Sequence, residues 1–116
     1  MRVAISGDGN TIVAGASNED SNAKGINGNQ TNNLGDGAGA AYVFTRNGTT
    51  WTQRAYVKGS NTEMFDAFGS AIAMSSDGKT VVIGAPIERS AAKGVNANQA
   101  DNSAEGAGAA YVFTVN

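Results

Sequence analysis

The chain has 116 residues, with 8 Lys and Arg against 10 Asp and Glu, a net charge of −2, and neither His nor Cys. The missing residue types exclude Ser-His-Asp and Cys-His catalysis, disulfides, and zinc held by imidazole or thiolate. The lack of a basic run excludes a phosphate-tracking surface, so nucleic acid is not an expected partner.

Read in order, Arg2 to Ser6 and Thr11 to Ala16 are short runs rich in Val, Ile and Ala, joined by Gly7-Asp8-Gly9-Asn10. They predict a strand, a tight turn and a second strand. Apolar residues on both faces fit a sheet covered on both sides. Ser17 to Asp36 is dominated by Asn, Gly, Asp and Ser and reads as a long loop, a kind that is usually functional or disordered. Gly39 to Thr45 is the third strand, and Arg46-Asn47-Gly48-Thr49 predicts a type I′ hairpin centred on Asn47-Gly48. Trp51 to Lys58 follows, with polar residues on both faces, as suits an outer, partly wet strand. No stretch keeps the apolar spacing of a helix. No apolar run approaches the roughly 18 residues of a membrane span, so membrane insertion is not expected, and MRVAISGDGN lacks the charged start and apolar core of a secretory leader.

After a crossing at Gly59 to Ala67 the cycle begins again. FGSAIAMSSDGKTVVIGAP, from Phe68 to Pro86, reads as a strand, a turn at Ser76-Asp77-Gly78-Lys79, and a strand ended by Pro86, which has no N–H for a ladder. With Val3 set against Ile72, an offset of 69 residues, RVAISGDGNTIVAGAS lies on AIAMSSDGKTVVIGAP without a gap. NAKGINGNQ lies on AAKGVNANQ, and GAGAAYVFT recurs unchanged from Gly106 to Thr114. The units divide as 1–69 and 70–116, the second lacking a fourth strand. A repeat unit cannot bury its apolar face alone. The chain is therefore expected to be a piece of a larger propeller or to assemble with copies of itself, and the missing leader has no bearing on secretion.

Four antiparallel strands per unit, with small residues in the first two and aromatics in the others, are what a propeller blade requires. The expected fold is all-β, a partial β-propeller with one complete four-stranded antiparallel blade and three strands of a second. Turns alternate ends in such a blade, so the loops at 17–36 and 87–105 and the crossing at 59–67 should share one rim, the place to look for a ligand. The candidates there are Asn27, Asn29 and Gln30 and their counterparts Asn96, Asn98 and Gln99, amides able to receive a sugar or a peptide backbone. The plainer reading is that they hold the loop's own backbone. Trp51, Tyr56, Met64 and Phe65 either form an exposed apolar patch or fill space between blades. Gly35 to Gly39 opens a strand and not a helix, so it is not a phosphate loop.

Phe68-Gly69, followed by Gly84-Ala85-Pro86 after the strand pair, resembles the FG-GAP repeat of the seven-bladed propeller in integrin α-subunits, and more closely its bacterial relatives in repetitive surface proteins. In the first unit the Phe-Gly pair is absent and Gly-Ala-Pro stands as Gly15-Ala16-Ser17. Physically, Phe68 is a knob that can fill the gap between blades, and Gly69 and Gly84 allow backbones to approach. The resemblance implies an extracellular or cell-surface setting and a partner-binding face. Several integrin blades hold Ca²⁺ in the first turn, which makes Asp8 and Asp77 the metal candidates. Only the central Asp-Gly of that loop survives here, and calcium needs about six to eight oxygens. Plain hairpins and no cofactor are the expectation.

The leading expectation is thus a non-enzymatic repeat module presenting loops to a protein or glycan ligand. The alternative is a structural spacer whose blades complete one another between chains. An enzyme would have to work with carboxylates alone, and no matched acid and base stand out.

Overall fold

The computed structural model describes residues 1–91, 93–96 and 102–115, and these form seven strands and no helix. β1 (Arg2–Ile5), β2 (Thr11–Ala16), β3 (Ala40–Asn47) and β4 (Thr50–Val57) make an antiparallel sheet in sequence order. β5 (Ala71–Met74), β6 (Thr80–Ala85) and β7 (Ala109–Thr114) make a second sheet of the same order. The 69-residue repeat is kept rung by rung: Val3 pairs with Ala14 as Ile72 pairs with Ile83, and Gly15 with Ala41 as Gly84 with Ala110.

The first turn of each unit closes itself with side chains. Asp8 Oδ1 accepts the Ser6 hydroxyl (2.7 Å) and the Asn10 N–H (2.9 Å), while Ser6 Oγ accepts the Thr11 N–H (3.1 Å). Asp77 Oδ1 does the same with the Ser75 hydroxyl (2.7 Å) and the Lys79 N–H (3.0 Å), and Ser75 Oγ with the Thr80 N–H (3.0 Å). This is the local competition of Asp and Ser side chains with ladder bonds that favours turns over strands. It is why β1 stops at Ile5 and β5 at Met74, short of the predicted Ser6 and Ser75.

The second hairpin departs from expectation by one residue. Asn47 pairs with Thr50, so the two-residue loop is Gly48-Thr49, with positive φ at Gly48 (62°) and not at Asn47. That suits a type II′ turn, whose first central residue is Gly, and not the predicted I′ turn. The buried end of the ladder explains the shift. Ala41 faces Val57 and Tyr42 faces Tyr56, and this register meets that of the turn through a bulge in which Val43 faces Ala55, Phe44 faces Gln53, and Arg54 is left over. β4 is exposed from Thr50 to Arg54 and covered from Ala55 onward, the partly wet outer strand that its pattern predicts.

The core lies between the sheets. Val13, Ala41, Val43 and Val57 from the first meet Val81, Ile83 and Ala85 from the second, with Ile72, Met74, Tyr111 and Phe113 packed around them. Phe68 is wedged at the seam, 2 % exposed, with its ring edge-on to Tyr111 (centroids 5.3 Å apart) and Phe113 (6.1 Å). Its backbone forms a parallel bridge with Gly39, where a Cβ would stand 2.1 Å from Phe68 O. The seam is closed again at Gly15, where a Cβ would lie 2.2 Å from Gly69 O. Gly84, the counterpart of Gly15, faces no neighbouring sheet among the described residues, and a Cβ there would meet only its rung partner Ala71, at an ordinary 3.4 Å or more.

A candidate binding rim

The β2–β3 loop is ordered by its own polar groups. Ser21 is fully buried; its hydroxyl donates to Asn29 O (2.6 Å) and accepts the Ala23 N–H (3.1 Å) and Asn32 Nδ2 (3.1 Å). Asp20 turns the loop back by accepting the Gly37 N–H (2.8 Å) on its side chain and the Gly35 N–H (2.6 Å) on its carbonyl. Beneath it, Lys58 is fully buried, its ammonium donating to Glu19 Oε2 (2.8 Å) and to Ser21 O. A charge buried this way is tolerated because it is paired and its protons are used.

The crossing from the first unit to the second packs beside this loop. Phe65 N–H donates to Asp36 O (2.8 Å), Ala67 N–H to Gly37 O (3.0 Å), and Phe68 N–H to Ala38 O (3.0 Å). Phe65 and Ala67 both hold positive φ (67° and 58°), a conformation costing non-glycine residues about 1–3 kcal/mol each. Between them Asp66 is 5 % exposed and accepts the Glu63 N–H (3.0 Å). Burial pushes its carboxyl up to about 6, and the Glu88 and Glu63 carboxylates add to the rise.

The second long loop joins them. Ile87 N–H reaches Asp66 O (3.4 Å), and Asn102 Nδ2 reaches both oxygens of Glu63 (2.8 and 2.7 Å). The two loops and the crossing thus meet at one end of the sheets, as strand alternation predicts. Where they meet is a groove of about 540 Å³, lined by Asn22, Lys24, Leu34, Gly35, Thr62, Glu63, Met64, Phe65 and Arg89. Leu34, Met64 and Phe65 are 72, 50 and 59 % exposed, so a strip of apolar side chains stands beside two cations.

The profile of the FG-GAP repeat family matches residues 51–113, more than half of the chain. The chain belongs to the FG-GAP repeat family. No curated protein and no solved structure matches it. FG-GAP repeats are β-propeller-type structural modules that are generally non-catalytic. In this FG-GAP chain the Phe68-Gly69 pair is the inter-sheet wedge described above, and Gly84-Ala85 ends β6 with Pro86 in the turn just beyond it, Gly69 N–H donating to Gly84 O (3.0 Å).

The residues singled out in the sequence fall in three places. Asn27 bonds not to its own loop but to β4: its Oδ1 accepts the Tyr56 N–H (3.0 Å). Asn29 Oδ1 is held by the Thr31 N–H (2.9 Å) and hydroxyl (2.7 Å), and Gln30 Oε1 meets Gln53 Nε2 (3.4 Å). Asn96 has φ 56°, close to the 61° of Asn27, whereas Asn98 and Gln99 lie outside the described residues. Asp8 and Asp77 sit at the end opposite the rim, their carboxyls held below the usual range chiefly by the Ser6 and Ser75 hydroxyls. Among the described residues no three acidic side chains converge on one point.

Trp51, Tyr56, Met64 and Phe65, read as either an exposed patch or filling between blades, fall in separate places. Tyr56 is buried against Tyr42 (centroids 5.2 Å apart), Trp51 lies under the Arg46 guanidinium at the far end, and only Met64 and Phe65 reach the groove. Leu34 and the paired cations Lys24 and Arg89 were not legible as a group, because their nearness comes from the loop packing against the crossing.

Proposed function

We propose that this FG-GAP chain is a non-enzymatic repeat module of a secreted or cell-surface protein, and that its rim groove takes a partner protein. The observation that carries this reading is the strip of Leu34, Met64 and Phe65 beside Lys24 and Arg89. Exposed apolar side chains set in a polar rim are the usual make-up of a protein contact. The strained backbone at Phe65 and Ala67, held by bonds to residues 36 and 37, presents the strip in one fixed shape.

The groove favours an apolar side chain next to a carboxylate. Selection from a displayed peptide library against the chain tests this. The reading expects enrichment of acidic-apolar peptides that lose about tenfold or more in affinity for the Lys24→Ala, Phe65→Ala, Arg89→Ala triple variant. Peptides that bind this variant equally well would remove the rim from the account.

A further inference from the structure

The crossing between the units makes a tight turn at its rim end. Asp66 Oδ2 accepts the Glu63 N–H (3.0 Å), and the Asp66 N–H donates back to Glu63 O (3.4 Å). The first of these is the one hydrogen bond the Asp66 carboxyl makes among the described residues. On either side Phe65 and Ala67 hold positive φ, each tied to the first loop by a single backbone bond, to Asp36 O and Gly37 O. Of residues 63–67 only Asp66 is buried, while Met64 and Phe65 stand exposed at the groove. A strained turn with so little burial of its own belongs to the part of a fold that opens most readily.

The surroundings of Asp66 are acidic. Its own segment brings Glu63, and the second long loop brings Glu88, which is 2 % exposed and accepts Asn61 Nδ2 (2.9 Å) and the Ser90 N–H (3.0 Å). Glu88 makes no ion pair among the described residues. From β7 the Tyr111 hydroxyl donates to Asn61 Oδ1, and from the first loop the exposed Asp36 meets the crossing through its carbonyl. The cation acting on Asp66 is Arg89, which is exposed and shared with Glu105 (3.7 Å). An ionised Asp66 thus adds a buried charge beside Glu63 and Glu88, opposed by one exposed cation. Burial first, and then these carboxylates, hold its proton up to about 6.

We infer that residues 63–67 are a proton-operated latch on the rim: with Asp66 neutral the turn is closed, and with Asp66 ionised it opens locally, withdrawing Met64 and Phe65 from the groove while both sheets stay folded. The sign follows from the closed state's tighter hold on the proton. Opening is rarest in acid and rises as pH passes through about 6. A partner in the groove is then held at acidic pH and released near neutrality. That consequence rests on the partner-binding reading given above, whereas the latch itself does not.

Hydrogen exchange of the whole chain, with no partner present, tests the latch independently of the rim's role. After correction for intrinsic rates, protection of the Phe65 and Ala67 amides is expected to fall about tenfold between pH 5 and pH 7.5. That exchange should be almost independent of urea below the unfolding transition, as local opening exposes little surface, whereas the Val81 and Ile83 amides should show the full slope of global unfolding. Asp66→Asn removes the titrating group and should abolish the fall at Phe65 and Ala67. Wild-type protection that is flat with pH, a urea slope at Phe65 and Ala67 equal to that at Val81, or an undiminished fall in Asp66→Asn overturns the proposal. The first two outcomes are read on the wild type alone, so the test stands even if the variant does not fold.

Discussion

Val3 and Ile72 stand on the same rung of successive sheets, opposite Ala14 and Ile83, yet Val3 is 60 % exposed while Ile72 is packed against the shared core. The sheets stack in one direction: one face of the second lies on the opposite face of the first. Equivalent residues therefore have unequal energetic weight. Ile72→Ala should cost about 2–4 kcal/mol and Val3→Ala under about 0.5 kcal/mol in urea unfolding. Equal costs would place the seam elsewhere.

The glycines of the two units make a sharper pair. Gly15→Ala drives a methyl to 2.2 Å from Gly69 O, a backbone atom that cannot swing away, whereas Gly84→Ala meets Ala71 Cβ at 3.4 Å. The expected losses are about 3 kcal/mol for Gly15→Ala and about 1 kcal/mol or less for Gly84→Ala. Thermal melts of both variants give the comparison directly.

These pairs show how far the sequence could be read. Strand positions, the repeat and the meeting of loops at one rim follow from local chemistry: Asp-Gly turns, small residues in the inner strands, and alternation of chain direction. The Gly48-Thr49 loop did not, because a turn prediction sees four residues while the register is set by Ala41 and Tyr42 against Val57 and Tyr56. Lys24 to Asn27 gave no strand signal, since its bonds to Tyr56, Lys58 and Gly59 lie about 30 residues away. In the sequence, the groove-lining Leu34 is a large apolar residue set in a polar loop. Its partners Met64 and Phe65 become neighbours only when the crossing packs beside residues 36–38.

The buried Lys58–Glu19 pair makes its own test. Lys58→Met leaves the Glu19 carboxylate with the Ser21 N–H but no cation, and should destabilise by about 3–5 kcal/mol. Adding Glu19→Leu should recover much of that loss, as removing both charges leaves no uncompensated one. Urea titration of both variants measures the coupling; a double variant no better than Lys58→Met alone would contradict the pairing.

Asp66 sets a pH dependence. Its folded carboxyl titrates near 6 against an ordinary 3.8, so the folded state holds the proton more tightly. The protonated acid's contribution to stability is complete below 3.8 and is lost as pH rises through about 6. Asp66→Asn removes this titration and keeps an oxygen for the Glu63 N–H. Relative to the wild type, the variant should gain on the order of 2 kcal/mol between pH 4 and pH 7. Asp8 and Asp77 act in the opposite sense at lower pH and cancel in the difference.

The central claim is that the two repeat units, 1–69 and 70–116, share one core across the Phe68 seam, and native-state hydrogen exchange tests it most directly. Amides of Val13 and Val43 in the first sheet and of Val81 and Ile83 in the second should lose protection together, in a single opening event with one denaturant slope. In Phe68→Ala both sets should fall by the same amount, about 3–5 kcal/mol. Two openings of different free energy, with the first sheet unmoved by the Phe68 substitution, would contradict the account.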